Sequence, residues 1–163
     1  MRVYKLLLEL QAFLETSLAA FPLPEPVNGK DKMDSARCFL GNVPDDNEKN
    51  LPERFPFVVI RWVEGSSQDQ GDNLEQVALL LGVYSPSGPG EAELLTAMLM
   101  DHLRGDFMRN RLLADIFDLQ LPLESAKPDP EKKQHNYHIA TMITRWRHTS
   151  PRRSIKGDFY GEQ

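Results

Sequence analysis

The clearest hydrophobic patterning lies between Phe55 and Phe107. Residues 56–63 are almost wholly apolar and rich in β-branched and aromatic side chains. Pro56 stands at the start of this run, where a strand tolerates a missing N–H. In residues 74–85 the pattern has period two. Val77, Leu79, Leu81 and Val83 share one face, and Ala78, Leu80, Gly82 and Tyr84 share the other. Both faces are mostly apolar, which predicts a central strand covered on both sides. After the turn 86–90, which holds two prolines and two glycines, the period changes. Leu94, Leu95, Met98, Leu99, His102 and Leu103 fall on one side of a helix expected over 91–104. Glu91 and Glu93 lie in its first turn, favourable to the helix dipole, and Gly105 marks its expected end. This helix would supply one of the two covers.

The flanking regions extend the same scheme. Val3, Leu7, Leu10, Leu14, Leu18 and Phe21 recur at steps of three and four, predicting a helix over 3–21 that Pro22 and Pro24 stop. Residues 24–54 are irregular, with a short edge strand expected over 36–40. Residues 64–75 read as a solvated acidic hairpin loop. Residues 112–123 read as a strand with one wet face, and Pro122 places it at an edge or a strand end. A last strand is expected over 134–149. The fold class is therefore α+β: a mostly antiparallel sheet of four or more strands flanked by an N-terminal helix and a second central helix. It forms a single domain over 1–149, with a long irregular loop at 24–54 and a basic tail at 150–163.

Composition narrows the function classes. The chain has 163 residues, 40% hydrophobic and 26% charged, which suits one domain with a sizeable core. Its net charge of −5 argues against a general nucleic-acid binder. The single cysteine, Cys38, cannot form an internal disulfide and has no ligand-spaced partner, so it is expected to be an inert or half-buried thiol in a reducing compartment. The N-terminal region lacks the apolar run of a secretory signal, and no stretch approaches the ~20 apolar residues of a membrane span. A soluble cytoplasmic protein is expected.

Catalytic signatures are missing from the sequence. It contains no GxGxxG, P-loop, GxSxG or HExxH pattern. The acids between Glu64 and Glu75 do not keep the register of a calcium-binding loop. His135 and His138, three apart on a strand, point to opposite faces, as do Asp115 and Asp118. His102 reads as a partly buried structural histidine, and Trp62 and Trp146 as core. No catalytic, cofactor-binding or metal-ligating residue is expected. The candidate interaction residues are of two kinds. Glu64, Asp69 and Asp72 belong to an acidic loop that has no Lys or Arg. Arg152, Arg153 and Lys156, followed by Phe159 and Tyr160, belong to a basic C-terminal stretch in an acidic protein. Basic residues attract, and aromatics anchor interfaces.

The order of elements resembles that of the tail-terminator (tail-completion) proteins of long-tailed bacteriophages and prophages. The resemblance rests on the N-terminal helix, the Phe55-Pro56-Phe57 step, the acidic hairpin and the VYS strand end at Val83, Tyr84 and Ser85. The helix EAELLTAMLMDHL and two further strands complete it. It covers roughly residues 3–149, and the chain departs from it in the long 24–54 segment and the basic tail. It implies a non-enzymatic, cofactor-free subunit of a homo-oligomeric ring, a hexamer, that caps the tail tube and docks to the head connector. The implied partners are further copies of the chain, a tail-tube protein and a head-connector protein, with no nucleic acid and no membrane. The implied locations are the bacterial host cytoplasm during assembly and the virion tail. An adaptor or baseplate-type subunit of a contractile secretion system is an alternative on a similar scaffold. A small cytoplasmic enzyme with an unrecognised site is another.

Overall fold

A computed structural model describes residues 2–25, 33–41, 54–67, 72–126 and 136–149. In chain order the elements are helix α1 (Arg2–Ala19), strands β1 (Leu23–Pro24), β2 (Met33–Asp34), β3 (Arg37–Leu40), β4 (Phe57–Ser67) and β5 (Asp72–Tyr84), helix α2 (Pro89–Arg109), and strands β6 (Leu112–Leu113), β7 (Phe117–Ala126) and β8 (Tyr137–Thr149). β1 and β2 form a small pair of their own. The others form one six-stranded sheet in the order β3-β4-β5-β8-β7-β6, antiparallel except for the parallel pair β3–β4. The expected α+β class holds, with the central strand, the edge strand near 36–40 and both helices in place.

The core lies between one face of the sheet and the two helices. From α1, Leu6, Leu10, Leu14 and Leu18 form an i, i+4 row that is fully buried. They meet Val58 and Ile60 of β4, Val77, Leu79, Leu81 and Val83 of β5, and Ala140, Met142 and Trp146 of β8 in one cluster. Each fully buried Leu or Val contributes on the order of 1.5–3 kcal/mol. Phe107 of α2 stacks on Phe13 of α1, with ring centroids 5.0 Å apart, and meets Trp146 edge-on at 5.9 Å. Thr144 makes the burial of Trp146 possible: its Oγ1 accepts from the indole N–H at 2.9 Å and donates to the Val77 carbonyl at 2.9 Å.

Several expectations need correction. The covers do not lie on both faces, because α1 and α2 share one. The opposite face carries a separate cluster of Phe55, Phe57 and Val59, with Phe39, Leu80, Tyr84, Tyr137 and Ile139 against it. Gly82 makes this cluster possible. A Cβ there would stand 2.4 Å from the Phe57 ring and 2.9 Å from that of Phe55. Phe55 in turn stacks on Tyr137 at 4.7 Å.

α2 does not stop at Gly105 but runs to Arg109, where Asn110 caps it with its backbone N–H and, at 2.9 Å, its side-chain amide. The burial of Phe107 offsets the ~1 kcal/mol helix cost of glycine. The buried side of α2 is also different from the expected stripe. Ala92, Thr96, Leu99, Met100, Leu103 and Phe107 face the sheet, whereas Leu94 and Met98 are 59% and 48% exposed.

Residues 64–75 are largely ladder, with pairs from Glu64↔Gln76 to Ser67↔Asn73. Backbone pairing with β8, which continues to Asp72↔Thr149, extends the hairpin whatever the polarity of its side chains. Residues 112–123 are two strands rather than one. A tight turn separates them, with Ala114 (φ 53°) and Asp115 (φ 56°) both left-handed. No glycine or asparagine announces that turn. Trp62 is 45% exposed, not core, whereas Trp146 is fully buried as expected.

Two substitutions test this packing. Leu81→Asp places an unpaired charge in the core and is expected to abolish cooperative thermal unfolding near the wild-type midpoint. Gly82→Ala is expected to cost about 1–3 kcal/mol in denaturant titration, because the rings over it must shift. A Gly82→Ala variant with wild-type stability would show that the rings do not occupy that space.

Candidate functional site

Among the described residues, hydrolase-type side chains converge at the junction of α1 with α2. Ser17 comes from the last turn of α1, and His102 and Asp106 come one turn apart from α2. A nucleophilic triad needs the imidazole between hydroxyl and carboxylate, using one nitrogen for each. That is not the arrangement here. His102 Nε2 lies 2.8 Å from the Ser17 carbonyl, 3.3 Å from Ser17 Oγ and 3.5 Å from Asp106 Oδ2. The shortest contact has only one possible direction, since a carbonyl only accepts, so Nε2 carries the proton. It has no lone pair to take one from the serine. Ser17 Oγ instead donates to Asp106 Oδ2.

The chemistry that this arrangement does perform is helix capping. The last turn of α1 contains no basic residue of its own. His102 supplies a donor to one of its terminal carbonyls, and Phe21 stacks on the imidazole at 5.2 Å. The Ser17 hydroxyl holds the Asp106 carboxyl below the ordinary carboxylate range, with help from the Arg109 guanidinium and His102 and against the effect of burial. His102 is thus the partly buried structural histidine expected.

A second polar cluster closes the far end of the β4–β5 hairpin. Glu75 is only 7% exposed. Its Oε1 accepts from the Trp62 indole at 3.0 Å, and its Oε2 lies 2.9 Å from His148 Nε2. A Cβ on Gly65 would stand 2.2 Å from Oε1, so glycine leaves the space that the carboxylate fills. Phe117 meets the His148 ring edge-on at 5.4 Å, and His148 Nδ1 is buried without a hydrogen-bond partner. Sequence reasoning placed Glu75 in a wet loop. Its strand parity with Val77, Leu79, Leu81 and Val83 was the available signal, and His148 shares parity with Met142 and Trp146 in the same way.

Cys38 lines an open depression of about 440 Å³ with Glu15 and residues 34–39. Burial, and then the charge of Glu15, push its thiol up to about 12, so thiolate chemistry is disfavoured. Among the described residues no group of three or more His, Cys, Asp or Glu side chains could hold a metal ion.

The expected interaction residues are only partly brought into view. Glu64 is exposed on β4, opposite Gln76, and Asp72 is half-buried on β5, opposite Thr149. They stand at different levels of one hairpin and form no joint pocket. Asp69, Arg152, Arg153, Lys156, Phe159 and Tyr160 lie outside the described residues, as does His135. The basic residues at the start of the C-terminal stretch are already paired. Arg145 contacts Glu124 at 2.9 Å and Arg147 contacts Asp118 at 3.2 Å. Asp115 lies in the β6–β7 turn and Asp118 on β7, so the two do not share the one strand expected. The chain matches no known protein-family model and no curated protein.

The clamp between the helices has a defined pH signature. Because the folded-state acidity of Asp106 is raised, its contribution is present above the ordinary aspartate range. It is lost as pH falls through the lower folded value. Asp106→Asn is expected to be about 1–2 kcal/mol less stable than wild type at pH 7, in line with the loss of a charge-assisted hydrogen bond. The gap should narrow below about pH 4. Denaturant midpoints from pH 7 to pH 2.5 read this directly, and a gap that stays constant would contradict it.

Proposed function

We propose that this chain is a structural assembly subunit of the phage tail-terminator type, forming a ring that caps the tail tube and joins it to the head connector. The observation that carries the reading is the order and placement of elements. An N-terminal helix, an edge strand, a long hairpin, a central helix and the closing strands β6, β7 and β8 build one mostly antiparallel sheet with both helices on one side. This is the order that the sequence resemblance implies. The Ser17–His102–Asp106 cluster adds support, since these reactive groups are committed to holding helices together.

In this reading the surfaces act where a catalyst would use a pocket. Acidic Glu64, Asp69 and Asp72 on the hairpin and basic Arg152, Arg153 and Lys156 on the C-terminal stretch suit head-to-tail contacts, with Phe159 and Tyr160 as anchors. Exposed charge pairs contribute only on the order of 0–1 kcal/mol each, so they tune encounter and register while apolar surface holds the ring. The test is to add the protein to a polymerising tail-tube protein from the same source. The expected result, by electron microscopy, is protein bound at one tube end and a narrowed distribution of tube lengths. Unchanged lengths with unoccupied ends would refute the proposal.

A further inference from the structure

α2 has a second apolar stripe, on the side turned away from the sheet. Glu91, Leu94, Met98, Asp101, Gly105 and Met108 follow one another at steps of 3, 4, 3, 4 and 3, the spacing of a helix-packing seam. Leu94, Met98 and Met108 are 59%, 48% and 44% exposed, although each is an apolar side chain on a well-formed helix. Two open depressions flank the stripe and share Asp101 and His102. One, of about 460 Å³, contains Phe21, Ala97 and Met98; the other, of about 470 Å³, contains Gly105, Met108 and Arg109. A Cβ on Gly105 would meet only the Arg109 guanidinium, at 3.4 Å, so the seam is open to a close neighbour at that point.

We infer that this stripe is a two-fold docking surface for a second copy of the same chain, with the two α2 helices antiparallel. The charges at the two ends of the seam suit this occupant. Glu91 stands in the first turn of α2 and Arg109 in the last. An antiparallel copy sets Glu91 of each helix beside Arg109 of the other, whereas a parallel copy sets like charges together at both ends. Arg109 already contacts Asp106, but its side chain is 68% exposed and keeps donors for a partner. The same arrangement lays the large Leu94 and Met98 of one copy against the small Gly105 and the flexible Met108 of the other. The two-fold axis then passes near Asp101, at the middle of the seam, where the two exposed Asp101 carboxylates approach each other and oppose part of the attraction between the ends. An isologous contact of this kind closes on two copies. It is distinct from the head-to-tail contacts of a ring and does not depend on them.

The geometry is testable by cysteine cross-linking in a Cys38→Ser background, which leaves no other thiol. A cysteine near a two-fold axis meets its own copy, and one far from it does not. Asp101→Cys is therefore expected to give disulfide-linked dimers on mild oxidation. Leu94→Cys alone should not, but mixed with Met108→Cys it should give a heterodimer. Met98→Glu, at an exposed position that folding does not need, is expected to reduce linking through Asp101→Cys at least tenfold. Glu91→Arg should reduce it several-fold. No linking through Asp101→Cys, equal linking through Leu94→Cys alone, or linking insensitive to Met98→Glu would each overturn the inference. Tail-tube capping does not enter this readout, so either reading can fail without the other.

Discussion

The parity of β5 is the constraint on which the rest of the structure depends. This strand is hydrogen-bonded along its length to β4 on one side and β8 on the other. A one-residue slip would carry Val77, Leu79, Leu81 and Val83 out from under the helices and put Ala78, Leu80 and Gly82 in their place. It would also move the only residue lacking a side chain away from the rings of Phe55 and Phe57. Both faces of the sheet therefore enforce one register. The helical face does so by volume, and the other face by the space over Gly82.

The two buried polar clusters are consequences of that register. Glu75 falls on the helical side because of its parity, and its carboxylate is met there by Trp62 and His148. Ser17, His102 and Asp106 meet because the leucine row of α1 and the Phe107 contact set the two helices side by side. In each cluster the polar groups bond chiefly to one another, although His148 Nδ1 is left buried without a partner. The combination of serine, histidine and aspartate resembles a catalytic set in composition only. Which nitrogen holds the proton, and which oxygen accepts it, makes the cluster a capping device.

α2 joins the structural and functional arguments. Its inner stripe is spent on the core, with Leu99, Met100, Leu103 and Phe107, and its outer stripe carries three large apolar groups, Leu94, Met98 and Met108. Exposed apolar side chains recurring along one face of a helix can mark a contact surface. The outer face of α2 is the surface that the proposed docking would use.

The hydrophobic pattern by itself determined the class of the fold, the two helices, the edge strand near Arg37 and the central position of residues 74–85. Periods of 3.6 and 2 are written in single residues and need no partner to be read. It also determined that Trp146 and Leu81 would be buried. What it left open was orientation. Leu94 and Met98 look like core residues because α2 is apolar on two sides, and only packing against Trp146 and Phe13 chose the side that contains Phe107. Trp62 looks like core, and Glu75 like solvent, because the bulge between Trp62 and Glu64 and the hydrogen bond joining the two residues are not local properties of either strand. The turn at Ala114 and Asp115 has no glycine or asparagine to mark it, and it forms because the pairing of β6 with β7 demands a reversal there. Local sequence sets which residues can be buried. Only the tertiary structure decides which of two acceptable faces is, since that choice belongs to the partner surface.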